Sequence, residues 1–229
     1  CDNEFYFQVD ITSEKQVTNF FLKIENLIFR KNRLLLINCA GISVFEDFEK
    51  RTKTSFMNVL EVNLYGTFNM LQKTVTIIKS KKTSGVIVNT GSIFGSRSPD
   101  ERNYVDLDRK NSEVYGASKA GVEQMTKYFA AHLAKFDIRV NCVSPGGILD
   151  GQPLEFLNRY KKSCANKGML DPIDLCGTVY FLVYNYSSKL DKIISPTPLF
   201  LRTFVYLTWP KYTATTTQNW HLFDVLTGT

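Results

Sequence analysis

Residues 86–92 read Val-Ile-Val-Asn-Thr-Gly-Ser, three β-branched apolar residues followed by four small or polar ones. A short continuous apolar run is typical of a strand that is buried on both faces. The apolar run 34–37 is followed in the same way by Asn-Cys-Ala-Gly, and the run 138–143 is followed by Ser-Pro-Gly-Gly. The repeated pattern predicts three buried strands that end in turns of small or polar residues, and residues 5–10 predict a further short strand.

Segments with the helical spacing of apolar residues separate these strands. Residues 54–79 and 114–135 each place apolar side chains along one face. A third such segment, residues 13–28, begins with Ser13 and Gln16 at the spacing of a capping box. Strands that alternate with helices predict an α/β fold, in which a parallel sheet is covered by helices on both faces.

Composition excludes several classes of protein. The chain has 28 basic and 22 acidic residues, and its short basic clusters fall where predicted helices end, a position that favours cations. We therefore expect no nucleic-acid partner. No run reaches the roughly 18 apolar residues of a membrane span, so we expect no membrane partner. With two histidines and no C-x-x-C pair we expect no metal, and five widely spaced cysteines favour the reducing cytoplasm.

Tyr115 and Lys119 are four residues apart on a predicted helix, so their side chains share one face. An ammonium group close to a phenol favours the phenolate, which makes a tyrosine usable as a general acid and base. Taken alone, the two residues are an ordinary pair at helical spacing. Their surroundings matter more, because Ser92 and Pro145 each follow a predicted strand. In open parallel sheets, ligands bind beyond the carboxyl ends of the strands, where these residues converge.

The order of these motifs resembles that of the short-chain dehydrogenase/reductase family over residues 5–188. The resemblance implies a Rossmann-like, doubly wound parallel sheet. It also implies an oxidoreductase that uses NAD or NADP to interconvert a carbonyl and a secondary alcohol of a small molecule. The motifs that carry the resemblance are Asp10, Asn38-Cys-Ala-Gly41, Asn63-Leu-Tyr-Gly66, Ser92-Ile-Phe-Gly95, Tyr115-Gly-Ala-Ser-Lys119 and Arg139-Val-Asn-Cys-Val-Ser-Pro-Gly146.

The resemblance also implies catalytic roles for four residues. Tyr115 would exchange a proton with the substrate oxygen, and Ser92 would donate a hydrogen bond to that oxygen as charge develops on it. Lys119 would bind the ribose hydroxyls of the nicotinamide half and favour the phenolate of Tyr115. Asn63 would hold a water molecule that links Lys119 to solvent. The alternative for Asn63 is a polar helix residue that is satisfied by the backbone.

Contacts with the cofactor are implied in three places. Asp10 would meet the adenine amino group and Ile11 would contribute its backbone. The alternative for Asp10 is a residue of the helix start, where aspartate is common. Tyr115 and Lys119 would lie against the nicotinamide half. Residues after two strands would complete the contact: Asn38, Ala40 and Gly41 after the first, and Pro145, Gly146 and Ile148 after the third.

The chain departs from the family pattern at both ends. The family begins with a strand, a glycine-rich turn and a helix whose N-terminus binds the pyrophosphate, yet no glycine stands between Cys1 and Ile37. We expect residues 1–190 to form a Rossmann-type domain that lacks its first βαβ elements, in a chain that is a fragment. We expect residues 191–229 to be a divergent tail without family match.

The substrate is constrained by a long polar loop between Ser92 and Tyr115. Charged residues dominate this loop, which resembles that of short-chain enzymes of surface-glycan and flagellin-sugar pathways, and we expect a sugar-like or other small polar substrate. Two alternatives remain open: an enzyme similar to 3-oxoacyl-carrier-protein reductase, and a non-catalytic truncated fragment of the family. The family implies a homodimer or homotetramer that forms through helices 54–79 and 114–135.

Overall fold

Three parallel strands form a sheet in the order β1-β2-β3, namely β1 (Leu34–Asn38), β2 (Gly85–Thr90) and β3 (Ile138–Val143). The structure is a computed structural model that describes residues 5–25, 28, 33–104, 111–165 and 167–184. The three predicted strands are confirmed. The expected tail, residues 191–229, lies outside the described residues.

Six α-helices accompany the sheet within the described ranges, and several short 3-10 turns connect them. The predicted helix at 54–79 is one continuous helical segment with an irregular centre, because a π-helical turn separates α2 from α3. The segment at 114–135 corresponds to α4. The α-helices are α1 (Glu14–Ile24), α2 (Lys53–Leu60), α3 (Thr67–Lys81), α4 (Glu113–Leu133), α5 (Leu154–Lys162) and α6 (Cys176–Val183), and the π-helical turn is Glu61–Gly66.

The start of α1 follows the predicted cap in part. The hydroxyl of Ser13 accepts a hydrogen bond from the backbone N–H of Gln16. The side chain of Gln16 reaches past Ser13 and accepts from the N–H of Asp10 at 3.0 Å. Residues 5–10 do not form the predicted strand among the described residues, and Gln8 is the one residue of this segment that makes a bridge. Side-chain packing holds this segment instead, with the ring of Phe7 5.4 Å from that of Phe20.

Alternation of side chains along the strands places apolar residues on both faces of the sheet. One face carries Leu36 and Ile87 and packs against α1, α3 and the end of α4. The opposite face carries Ile37 and Val88 and packs against Val179 of α6. Because helices cover both faces of a parallel sheet, the predicted Rossmann-like α/β class is confirmed.

None of the helices in the described ranges is both long enough and apolar enough to cross a membrane. Among the same residues, no three His, Cys, Asp or Glu side chains come together as a metal site would require. Within the described ranges the cysteines are Cys39, Cys142, Cys164 and Cys176, and none of these four is in a disulfide.

Candidate active site

A chain of buried amides fixes the carboxyl ends of the strands to α4. The side-chain N–H of Asn38 donates to the side-chain oxygen of Asn89 at 2.8 Å, which joins β1 to β2. Asn89 in turn donates to the hydroxyl of Thr126 on α4 at 2.9 Å. The side chain of Asn38, predicted to meet the cofactor, thus holds two strand ends together. Its predicted cofactor contact remains untested.

Lys119 is buried beneath this edge of the sheet, with 4% of its surface exposed. Its ammonium group donates to the backbone carbonyl of Thr90, the last residue of β2, at 2.7 Å. The same nitrogen lies 5.8 Å from the centre of the Tyr115 ring. Both side chains therefore share one face of α4 as predicted, and that face turns toward the end of β2.

Ser92 lies at the start of a 3-10 turn, Ile93–Gly95, that rests directly on α4. Its hydroxyl accepts from the N–H of Phe94 at 3.2 Å, which leaves the O–H free to donate. A Cβ on Gly116 would lie 2.8 Å from the carbonyl oxygen of Phe94. The backbone next to Tyr115 thus approaches this turn as closely as only glycine allows. This contact brings Ser92 to the part of α4 that carries Tyr115 and Lys119.

Asn63 is fully buried in the π-helical turn between α2 and α3. Its side chain accepts from the N–H of Ile42 at 2.7 Å and donates to the carbonyl of Ile42 and to the hydroxyl of Ser118, each at 2.9 Å. Ser118 donates onward to the backbone carbonyl of Tyr115 at 2.7 Å. The side chain is therefore satisfied largely by backbone, as the alternative interpretation expected. The proton-relay water remains a prediction.

The loop after β1 closes on the same group of residues. A Cβ on Gly41 would lie 3.3 Å from both the side-chain oxygen of Asn63 and the ammonium nitrogen of Lys119. The neighbouring Ala40 packs against the core cluster that contains Leu36 and Ile87. The predicted segment 38–41 is thus in place beside Lys119.

Asp10 and Ile11 lie at the start of α1. One carboxylate oxygen of Asp10 accepts from the N–H of Thr12 at 2.9 Å and from its hydroxyl at 2.7 Å, a turn typical of a helix start. The backbone carbonyl of Ile11 accepts from the side chain of Asn69 on α3 at 2.9 Å. These bonds tie the segment to α3, while the adenine contacts predicted for both residues stay predictions.

The turn after β3 lies against the turn that carries Ser92. The carbonyl of Pro145 accepts from the N–H of Ile93 at 2.8 Å. Further along, Ile148 pairs with Leu170 in an isolated bridge. Pro145, Gly146 and Ile148 are predicted to line the nicotinamide, and the segment that contains them therefore starts beside the turn that carries Ser92.

Several residues of this region were not found from the sequence. The phenol oxygen of Tyr160 on α5 accepts from the N–H of Gly147 at 2.7 Å. Nothing in the sequence could pair these two residues, because they meet only through the fold. Ser118 had a signal, since it directly precedes Lys119 in the motif, and Asn89 had one as a polar residue at the end of a buried strand.

A buried arginine fixes the loop between β1 and α2 to the start of α4. Arg51 has 5% of its side chain exposed and binds the carboxylates of Glu46 at 2.9 Å and Glu113 at 2.6 Å. Ser43 donates to the side chain of Asn111 at 3.0 Å on the same side. These contacts fix the helix two residues before Tyr115.

The thiol of Cys142 on β3 lies close to the charged groups of the site. Burial is the main cause that raises the pKa of Cys142 from 9.0 to about 11, with a further contribution from the carboxylate of Glu123 and an opposing one from Lys119. This thiol is therefore protonated at neutral pH and is a poor nucleophile there.

The donors of Lys119 fit the nicotinamide ribose that the resemblance assigns to them. An ammonium group has three N–H donors, and within the described part of the chain that of Lys119 makes one hydrogen bond, to Thr90. Two donors of a buried cation thus remain for hydroxyl acceptors. These donors fit the nicotinamide half of the cofactor.

Comparison with known proteins agrees with this geometry. A family model described as enoyl-(acyl carrier protein) reductase matches residues 1–190. The chain is 40% identical over 128 residues to post-translational flagellin modification protein A of Campylobacter coli, covering 56% of this chain and 50% of that protein. It is 31% identical over 185 residues to 7alpha-hydroxysteroid dehydrogenase of Bacteroides fragilis, covering 78% of this chain and 66% of the relative.

Solved structures give the same result. A crystal structure of a short-chain dehydrogenase from Leptospira borgpetersenii with bound NAD+ is 43% identical, with a TM-score of 0.73, over 79% of this chain and 68% of that one. The chain therefore belongs to the short-chain dehydrogenase/reductase family. It spans about half to two thirds of the length of the curated relatives it matches.

Proposed function

We propose that the protein is an NAD- or NADP-dependent oxidoreductase that interconverts a carbonyl and a secondary alcohol. The observation that carries the proposal is the position of Lys119, whose buried ammonium lies 5.8 Å from the Tyr115 ring and is held on the carbonyl of Thr90, two residues before Ser92. A cation, a phenol and a hydroxyl thus share one edge of the sheet, where ligands of such folds bind.

Each of the three side chains has a distinct chemical task. Tyr115 gives a proton to the carbonyl oxygen in reduction and takes it back in oxidation. The hydroxyl of Ser92 donates to the same oxygen as negative charge develops there. Lys119 donates to ribose hydroxyls and places a positive charge 5.8 Å from the centre of the Tyr115 ring. The nicotinamide supplies the hydride when it is bound, and the protein orients it.

A sugar-like or other small polar metabolite is the proposed substrate. The turn after Ser92 continues into exposed charged residues, among them Arg97 and an ion pair in which Arg102 binds Asp100 at 2.7 Å. Charged side chains beside a site suit a hydroxylated or anionic substrate better than an alkyl chain. The similarity to a flagellin modification protein supports the same substrate class.

Two other functions remain candidates. The description of the matching family model as enoyl-(acyl carrier protein) reductase favours an acyl-carrier substrate, as in a 3-oxoacyl-carrier-protein reductase-like enzyme. A non-catalytic truncated fragment of the family is the third candidate, since residues 1–37 contain no glycine for a phosphate-binding turn.

Turnover with nicotinamide cofactors decides among these functions. Purified protein is assayed for absorbance change at 340 nm with both cofactors against hydroxylated sugars, anionic sugars and an acyl-carrier thioester. We expect activity on a polar class that Tyr115→Phe removes by a factor of about a thousand, with cofactor affinity by calorimetry nearly unchanged. Full activity in Tyr115→Phe would contradict the acid/base assignment. Activity on the thioester alone would favour the second candidate, and no binding of either cofactor the third.

We also propose that the protein forms a homodimer or homotetramer through α2, α3 and α4. The ring of Tyr128 on α4 is 60% exposed and stacks on His132, and Phe68 of α3 lies 6.3 Å from Phe129 of α4. Phe68 and Phe129 are half-buried, and aromatic rings that reach the surface of neighbouring helices are typical of protein interfaces. Light scattering after size exclusion should give twice or four times the chain mass, and Tyr128→Glu should reduce it.

A further inference from the structure

Glu123 lies on α4 one turn after Lys119, and the predicted motifs do not include it. One of its carboxylate oxygens, Oε1, accepts a hydrogen bond from the hydroxyl of Ser144 at 2.5 Å. A bond of this length between a hydroxyl and a carboxylate is charge-assisted, and such bonds are stronger than those between neutral groups. Glu123 therefore holds the first residue of the turn that follows β3.

The same carboxylate oxygen lies against both glycines that flank Ser92. A Cβ on Gly91 would lie 3.0 Å from Oε1 of Glu123, and a Cβ on Gly95 would lie 2.9 Å from it. Side chains at these positions would displace the carboxylate, so glycine is needed on each side of Ser92 for this approach. A single carboxylate oxygen thus meets the turn after β2 at two points and the turn after β3 at a third.

Lys119 and Glu123 act on the same stretch of chain from successive turns of one helix. Lys119 binds the carbonyl of Thr90. Glu123 lies against Gly91, which precedes Ser92, and against Gly95, which ends the turn. The turn that carries Ser92 is thereby fixed relative to α4 at both ends.

We propose that Glu123 is a positioning residue that sets the distance between Ser92, the Pro145–Gly146 turn and the helix that carries Tyr115. The consequence for turnover rests on the proposed function, whereas the contact itself does not. A displacement of a hydrogen-bonding hydroxyl by about 1 Å lowers catalytic rates strongly, because donors act only when they are preorganised at the reacting oxygen.

The experiment compares four variants of the full chain: Glu123→Ala, Glu123→Gln, Ser144→Ala and the double variant Glu123→Ala/Ser144→Ala. Gln124→Ala, at the next and exposed position of the same helix, is the matched control. Hydrogen exchange is measured by mass spectrometry on peptides that cover residues 91–96 and 144–148. kcat and KM are measured on the substrate found in the turnover assay.

We expect Glu123→Ala and Ser144→Ala each to speed exchange in both peptides by about tenfold and to lower kcat by a similar factor, with a smaller change in cofactor KM. The double variant should lose no more than either single variant, because both remove one contact. Glu123→Gln keeps an acceptor for Ser144 and should recover most of the loss.

Three results would overturn the proposal: unchanged exchange in both peptides, additive losses in the double variant, or faster exchange with an unaltered kcat. A wild-type chain without turnover would argue against the proposed function alone. In that case the exchange measurements and their additivity still decide whether Glu123 holds the two turns.

Discussion

The ammonium nitrogen of Lys119 lies 2.7 Å from the carbonyl oxygen of Thr90, the residue that ends β2. A helix side chain thereby binds the backbone at the carboxyl end of a strand on which the helix packs. The bond fixes the cation without help from any ligand, because both partners belong to the folded chain. The position of the Lys119 charge is therefore set by the carboxyl end of β2. We expect substitutions there to change both turnover and the free energy of unfolding.

Replacement of Lys119 by Met should test the role of this charge. Methionine retains the length and the burial of the side chain but removes the donors to Thr90 and to the ribose. We expect turnover to fall by at least a hundredfold and the KM for the nicotinamide cofactor to rise. Steady-state kinetics with varied cofactor measure both. Lys127→Met on the exposed face of α4 is the control, and equal behaviour of the two variants would contradict the assignment.

Asn63→Ala should destabilise the fold. The change leaves the N–H and the carbonyl of Ile42 without their side-chain partner in a buried site. Buried groups that lose a hydrogen bond cost roughly 1–3 kcal/mol each, so we expect the free energy of unfolding to drop by about 3 kcal/mol. Urea unfolding followed by circular dichroism measures this drop. Asn58→Ala, an exposed position on α2, should stay within about 0.5 kcal/mol, and a similar loss there would show that the effect is not specific.

Two glycine-to-alanine changes in helices should have opposite effects. A Cβ on Gly116 would lie 2.8 Å from the backbone oxygen of Phe94. A Cβ on Gly177 would have no described atom within 4 Å apart from its chain neighbours and the backbone of its own helix. We expect Gly116→Ala to cost about 1–3 kcal/mol and to reduce turnover, because the Ser92 turn must move away from Tyr115. Gly177→Ala should stabilise by about 0.5–1 kcal/mol through helix propensity. Thermal unfolding of both variants distinguishes the steric effect from the helix propensity. Stability changes of the same sign in the two variants would contradict the prediction.

The thiol of Cys142 should make stability depend on pH in the alkaline range. Burial raises its pKa to about 11 in the folded protein, against 9.0 for an ordinary thiol. Between these values the folded chain holds a proton that the unfolded chain has released, so the free energy of unfolding falls as pH rises through this window. Denaturant unfolding at pH 8, 9 and 10 should show a steeper fall for wild type than for Cys142→Ala. Parallel curves would mean that the thiol titrates normally in the folded state.

The three buried strands could be located from the sequence for a physical reason. Continuous apolar runs such as 86–88 can be satisfied only inside a sheet, and polar residues that follow them must emerge at its edge. Local spacing likewise placed Tyr115 and Lys119 on one face of a helix. The strand expected at residues 5–10 was wrong within the described residues, because strand formation depends on neighbouring strands that local propensity does not reveal.

Contacts between distant residues followed from the fold alone. The side chain of Asn63 binds Ile42 and Ser118, which lie 21 and 55 positions away in sequence, and its predicted role toward a water molecule stays a prediction. The bond between Glu123 and Ser144 likewise had no sequence signal, since Glu123 belongs to no predicted motif and Ser144 was given no role within its own.

The sequence by itself determined the α/β class, the family and the residue types at the carboxyl ends of the strands. The spacing of apolar residues and the motifs that follow strands are local properties of the chain. The tertiary structure decided which partners those residues have. It assigned Lys119 to Thr90, Asn38 to Asn89 and Glu123 to the turns on both sides of Ser92. Such pairings depend on the register of parallel strands and on the approach of α4 to the sheet, which only the packing of the whole core sets.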